Sequence, residues 1–145
     1  MSNPNKKFEV HCLADYGINT TFSNTTAKQF TPIIMSIPPE FSGPGNGYSP
    51  EDLYAMALMN CYVATFKFIA EKSKLVFSSI RANGVLTVAP DLNQKLWMKH
   101  IKIEVTLFGV TQKDRALNLM ERTKSNCMIL DSVKTEIEFE FIISQ

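Results

Sequence analysis

Arginine is absent from the first half of this chain: the first is Arg81, and only Arg115 and Arg122 follow. An excess of one charge is absent too. Fifteen basic residues stand against fourteen acidic ones, a net charge of +1. Both signs are spread along the chain, so neither nucleic acid nor an anionic membrane has the electrostatic footprint it needs, and both are excluded as expected partners. Cysteine is sparse, with three residues, Cys12, Cys61 and Cys127, and no Cys-x-x-Cys pair. Without a secretion signal such a set implies a reducing compartment and free thiols rather than a disulfide framework. Histidine is limited to His11 and His100. Both fall on the polar parity of strand-like runs, and no His/Cys spacing suits a metal, so no metal and no cofactor is expected. Gly43, Gly45 and Gly47 lie before a helix but lack the lysine and strand context of a phosphate loop. Residues 1–10 are polar and carry no apolar signal core, which points to a cytoplasmic location. No repeat, low-complexity tract or linker divides the 145 residues, and a single domain over 1–145 is expected.

What the chain does have is one long apolar helix, over 49–72. Ser49 is a capping residue, Pro50 suits the first turn, and Glu51 and Asp52 favour the positive end of the helix dipole. No glycine or proline interrupts the residues that follow, giving roughly 35 Å of helix. From Leu53 to Ala70 apolar residues occur on every face, the pattern of a helix buried all round. Asn60, Lys67 and Glu71 argue for burial in protein rather than in a bilayer. So short a chain has little to cover every side, and a second copy is the natural source of cover.

Alternating runs surround this helix. Phe8, Val10 and Cys12 alternate with Lys7, Glu9 and His11, predicting a half-buried strand with Cys12 packed on its inner face. A turn at Asp15-Tyr16-Gly17 leads to a second strand from Ile18, and a third is expected over 29–37, with Pro32 marking an edge or bulge. Residues 38–48 form a proline- and glycine-rich loop. After the helix, Val76, Ile80, Ala82, Leu86 and Val88 share one strand face. Ile101, Ile103, Val105 and Leu107 share another, and Thr135, Ile137, Phe139, Phe141 and Ile143 a third, opposite Glu136, Glu138 and Glu140. Between the last two lies a second helix over 112–127, with Ala116, Met120, Thr123 and Cys127 along one line. The order βββ-α-ββ-α-β, with strands segregated and antiparallel, predicts the α+β class.

Cys61 lies in mid-helix and Cys127 ends the second helix on its inward line. Both sit among apolar residues, where a free cysteine often simply packs. Tyr54, Leu58, Thr65 and Phe68 lie within about 60° of Cys61 around the helix axis, a face that serves equally as core or as the lining of an apolar substrate pocket.

The run Pro50-Glu51-x-Leu53, followed by small and apolar residues and then Cys61 on the same helix, resembles the OsmC/Ohr family of osmotically inducible and organic hydroperoxide resistance proteins. The likeness extends through the strand pair, the second helix with Cys127, 66 positions after Cys61, and the final strand. It implies an intertwined homodimer with central helices wrapped by antiparallel sheets and active sites at the subunit interface. It implies a thiol-dependent peroxidase acting on organic hydroperoxides, with hydrogen peroxide as a further substrate. By the same resemblance Cys61 is the peroxidatic thiol and Cys127 the thiol that resolves its sulfenic acid. A thiol or dithiol reductant then reopens the disulfide. Glu51 matches the family glutamate that orients an arginine from the N-terminal strands. Here that arginine is missing, and Lys28 is the best-placed candidate for the activating cation. Met128 stands where many members have proline. Glu51 precedes Cys61 by ten residues, roughly 15 Å along the axis, so it serves either through a long cationic side chain or the partner's cysteine. The rival reading is a non-enzymatic dimer of the same fold that binds a small apolar ligand or acts as a thiol redox stress protein.

Overall fold

The computed structural model describes residues 5–28 and 30–145. They fall into two compact units that divide within the long helix, Met1–Leu53 and Tyr54–Gln145.

The first unit is a three-stranded antiparallel meander, β1 (Val10–Ala14), β2 (Phe22–Thr26) and β3 (Ile33–Met35), in the order β1-β2-β3. The β1–β2 turn contains Gly17 at φ +104°, and Thr20 Oγ1 donates to the Gly17 carbonyl at 2.9 Å. Three expectations are corrected here. β1 is not half-buried: all five of its residues, Cys12 included, are exposed in the single chain. Alternation reports that a strand has an apolar face, not that its own chain covers it. The second strand starts at Phe22 rather than Ile18. The third is shorter than 29–37, with Gln29 outside the described residues, as are residues 1–4. Pro32 immediately precedes it and has no N–H for a ladder. Beyond β3, Tyr48 N donates to the Ile34 carbonyl at 3.0 Å and Ser36 N to the Tyr48 carbonyl at 2.9 Å. These bonds fold the loop back on itself. Gly45, at φ +67°, supplies a left-handed position that other residues adopt with strain.

The long helix α1 spans Pro50–Lys72. Its start is fixed reciprocally: Asp52 N donates to Ser49 Oγ at 3.0 Å and Ser49 N to Asp52 Oδ2 at 2.9 Å. Such a cap contributes about 1 kcal/mol. In the second unit the helix buries one stripe, Leu58, Tyr62, Phe66 and Ala70, each one turn after the last. Within the single chain burial is confined to this stripe, and Met56, Ala57, Ala64 and Phe68 are exposed. The chain owns one sheet and one short helix in this unit, enough to cover one face. α1 is long and apolar enough to cross a membrane by length and composition, but its buried stripe belongs to a protein core.

That core comes from β4 (Ser79–Pro90), β5 (Leu96–Phe108), α2 (Lys113–Thr123) and β6 (Glu136–Ser144), with sheet order β4-β5-β6. Ile101, Ile103, Val105 and Leu107 of β5 are all fully buried, as their alternation predicts. Val76, grouped with β4 from sequence, precedes the strand and is exposed. The all-antiparallel expectation is also corrected: β4 pairs with β5 antiparallel, but β6 runs parallel to β5, with Ile103 opposite Phe139. The reason is the connection. α2 carries the chain across and back, and a helical crossover returns a strand in the same direction. Phe139 and Phe141 then meet Tyr62 at centroid distances of 4.8 and 5.7 Å.

Candidate active site

α2 ends at Thr123, four residues earlier than the sequence suggests, and a 3₁₀ turn (Lys124–Asn126) follows it. Cys127 comes next, in extended backbone. The inward line still holds: Ala116, Met120, Thr123 and Cys127 are all fully buried. Two hydrogen bonds fix this corner. Thr123 Oγ1 donates to the Leu119 carbonyl at 2.6 Å, and Cys127 Sγ donates to the Thr123 carbonyl at 3.3 Å. A third comes from α1: the Tyr62 hydroxyl donates to the Met120 carbonyl at 2.8 Å. Tyr62 thereby ties the end of α2 to the middle of α1.

This tie brings the two sequence-predicted thiols together. Cys61 is half-buried on α1, near enough to Cys127 to act on its thiol. Thr65, one turn after Cys61, donates its Oγ1 hydrogen to the Cys61 carbonyl at 2.7 Å. All three cysteines are free thiols. Burial pushes the Cys127 thiol up to about 11, against an ordinary value of 9.0. The Thr65 hydroxyl acts to lower it, while Cys61 and Asp131 add to the rise. Tyr62 is raised as well, first by burial and then by Cys127 and Glu121.

The raised Cys127 has a consequence for stability. The folded chain keeps this proton up to about pH 11 whereas the unfolded chain loses it near 9.0. The contribution is therefore complete below pH 9 and declines as pH rises through 11, by about 2–3 kcal/mol in all. Urea midpoints of wild type and Cys127→Ala should converge between pH 8.5 and 11. Parallel curves would refute the assignment.

The remaining candidates are dispersed. Leu58 is fully buried in the core, Tyr54 and Thr65 are half-buried, and Phe68 is 64% exposed with Lys72 Nζ 5.5 Å from its ring centroid. Tyr54 shares a 2.6 Å hydrogen bond with Thr135 and borders an open cleft of about 250 Å³ with Trp97, Met98 and Lys134. Of the four, Tyr54 lines that cleft. Glu51 lies half-buried in the first turn of α1 and forms no ion pair among the described residues. Lys28 is exposed in the turn after β2, where its backbone N–H bonds Thr26 Oγ1 at 3.2 Å. His11 is exposed, and His100, half-buried, pairs with Glu138 at 3.1 Å. Tyr62 was not among the sequence-derived site residues. Its place on the i, i+4 stripe from Leu58 marks it only as core.

A long helix carrying a thiol, a second thiol brought beside it after a shorter helix, and two three-stranded sheets define an α+β domain of the OsmC class. The chain belongs to the OsmC-like protein family, whose model matches residues 43–141. Among sequence relatives, the uncharacterized protein YmaD of Bacillus subtilis is 27% identical over 110 residues, 73% of each chain. Among solved structures, the OsmC-like protein VCA0330 of Vibrio cholerae superimposes with a TM-score of 0.83 at 18% identity, covering 95% of this chain and 100% of that one. An organic hydroperoxide resistance protein of Elizabethkingia anophelis superimposes with a TM-score of 0.76 at 14% identity, covering 99% of each. At these identities the structural likenesses establish the fold.

Proposed function

We propose that this chain is a cysteine-based peroxidase that reduces organic hydroperoxides, with hydrogen peroxide as a poorer substrate. The observation that carries the reading is the adjacency of Cys61 and Cys127, brought from positions 66 residues apart. The Cys61 thiolate attacks the peroxide O–O bond, giving a Cys61 sulfenic acid and an alkoxide that leaves as the alcohol after protonation. The Cys127 thiol then condenses with the sulfenic acid, forming the Cys61–Cys127 disulfide and releasing water. A thiol or dithiol reductant exchanges with that disulfide, restoring both thiols and leaving oxidised itself. The half-buried position of Cys61 and full burial of Cys127 fit this division of labour, since the attacking thiol must meet substrate and the resolving thiol only its neighbour. The reaction requires no metal or cofactor, and the setting proposed is the reducing cytoplasm.

Glu51 and Lys28 are proposed to support the Cys61 thiolate from a partner subunit, in a homodimer whose second copy covers the open face of α1. Met56 and Phe68, 39% and 64% exposed, are the apolar residues that face would bury. With Tyr54 and Thr65 they supply the apolar surroundings that favour an alkyl hydroperoxide. Light scattering at micromolar concentration should give about twice the 16.4 kDa of one chain. A folded monomer would remove this account of Glu51.

One observation favours the rival, non-enzymatic reading of an apolar-ligand or thiol stress protein: no arginine precedes Arg81. Turnover of cumene hydroperoxide with dithiothreitol as reductant, compared with hydrogen peroxide, separates the two. Catalytic consumption, faster for the organic substrate, supports the peroxidase. Rates equal to reductant alone would leave the rival.

A further inference from the structure

The cleft beside Tyr54 lies wholly in the second unit, and the strand register explains why it exists. β5 begins at Leu96 and pairs with β4 from there, Trp97 opposite Ala89 and Met98 opposite Val88. Its ladder with β6 opens only at His100, opposite Glu136. Leu96 to Lys99 therefore have no β6 strand beside them. The recess of about 250 Å³ is lined there by Trp97, Met98, Val133, Lys134 and Thr135, with Tyr54 from α1. Sites for drug-sized ligands run to roughly 300–1,000 Å³, so this one admits a smaller molecule.

Three features fix the chemistry this recess accepts. Thr135 is buried, 6% exposed, and its hydroxyl bonds the Tyr54 hydroxyl at 2.6 Å. Two hydroxyls carry two hydrogens, and one bond uses one of them. The other has no acceptor among the described residues, so the pair keeps a donor in the lining of the cleft. Lys134 is exposed and forms no ion pair among the described residues. Trp97, the single tryptophan of the chain, is half-buried and supplies an aromatic ring. A donor hydrogen and an ammonium group both suit an anionic acceptor. The indole ring and the Met98 thioether suit an apolar, planar body. We infer that this cleft binds a small aromatic carboxylate, its ring against Trp97 and its carboxylate between Lys134 and the Tyr54–Thr135 hydroxyls. The inference uses neither Cys61 nor Cys127 and stands apart from the peroxidase reading.

Because Trp97 is the only tryptophan, its emission reports on this cleft directly. The test is a titration of the full chain with benzoate at constant ionic strength, read by Trp97 fluorescence and by the shift of the indole N–H resonance. Emission should change saturably, with a dissociation constant on the order of 1 mM for so small a ligand. Acetate and benzyl alcohol each carry half of the chemistry and should bind roughly tenfold more weakly or not at all. Lys134→Met should weaken benzoate roughly fivefold, and Lys134→Arg, which keeps the charge, should restore it. Either single hydroxyl deletion leaves one O–H, so only the double variant Tyr54→Phe/Thr135→Val should weaken benzoate further. If that variant does not fold, the Lys134 pair decides, since an exposed lysine is replaced without disturbing the core. A linear change that never saturates, an equal response to benzyl alcohol, or benzoate affinity unaltered by Lys134→Met overturns the inference.

Discussion

Cys61→Ser should lose roughly three orders of magnitude in kcat/KM for cumene hydroperoxide, because no other group here can take its place as the sulfur nucleophile. Cys127 is fully buried with its thiol raised to about 11, so it is almost wholly protonated at neutral pH. Cys12 is an exposed residue of β1. Cys127→Ser should behave differently. It should complete the first turnover, then hold Cys61 as a sulfenic acid that a dimedone-type probe traps, and pass to the sulfinic acid with excess peroxide. Stopped-flow consumption of the hydroperoxide, with mass spectrometry of the Cys61 peptide, distinguishes the two variants. Equal activity in Cys61→Ser and wild type would move the chemistry elsewhere. Identical behaviour of the two serine variants would remove the division into nucleophile and resolver.

The second large effect is structural. Tyr62→Ala should cost about 3–5 kcal/mol, the range for deleting a buried aromatic side chain. Tyr62 is fully buried, packs on Phe139 and Phe141, and stacks with Phe66 at 6.4 Å between centroids. Tyr62→Phe isolates the hydroxyl. It keeps the ring but leaves the Met120 carbonyl without its 2.8 Å donor, at a cost of about 1–3 kcal/mol. Because that bond holds the end of α2 against α1, Tyr62→Phe should also slow closure of the Cys61–Cys127 disulfide. Urea melts give the first quantity and thiol counting the second. A Tyr62→Phe variant as stable as wild type, with unaltered closure, would reduce Tyr62 to packing alone.

The parts of this molecule most legible from sequence are those governed by local periodicity. Glu136, Glu138 and Glu140 against Ile137, Phe139 and Phe141 give β6 and its inner face outright, and Ser49, Pro50 and Asp52 give the start of α1. The parts that were not legible depend on partners distant in sequence. Alternation in Val10 and Cys12 shows a strand with an apolar side but not what covers it, and in the single chain nothing does. The direction of β6 is set by the α2 crossover, which strand patterning does not encode. The end of α2 at Thr123 was overrun because Thr123 and Cys127 stay on one line through the 3₁₀ turn. In the candidate site, both thiols could be named from the chain only through the family resemblance, since residue patterning alone leaves each as a packed core cysteine. Tyr62 could not, because a core tyrosine carries no local signature of a bond made 58 residues away.

The central claim is that Cys61 and Cys127 form one redox pair. Its most direct measurement is peptide mapping by mass spectrometry after one equivalent of cumene hydroperoxide. The account predicts rapid loss of two thiols and a Cys61–Cys127 crosslinked peptide that is absent from Cys61→Ser, with Cys12 still free. Survival of all three thiols, or a crosslink that omits Cys61, would contradict it.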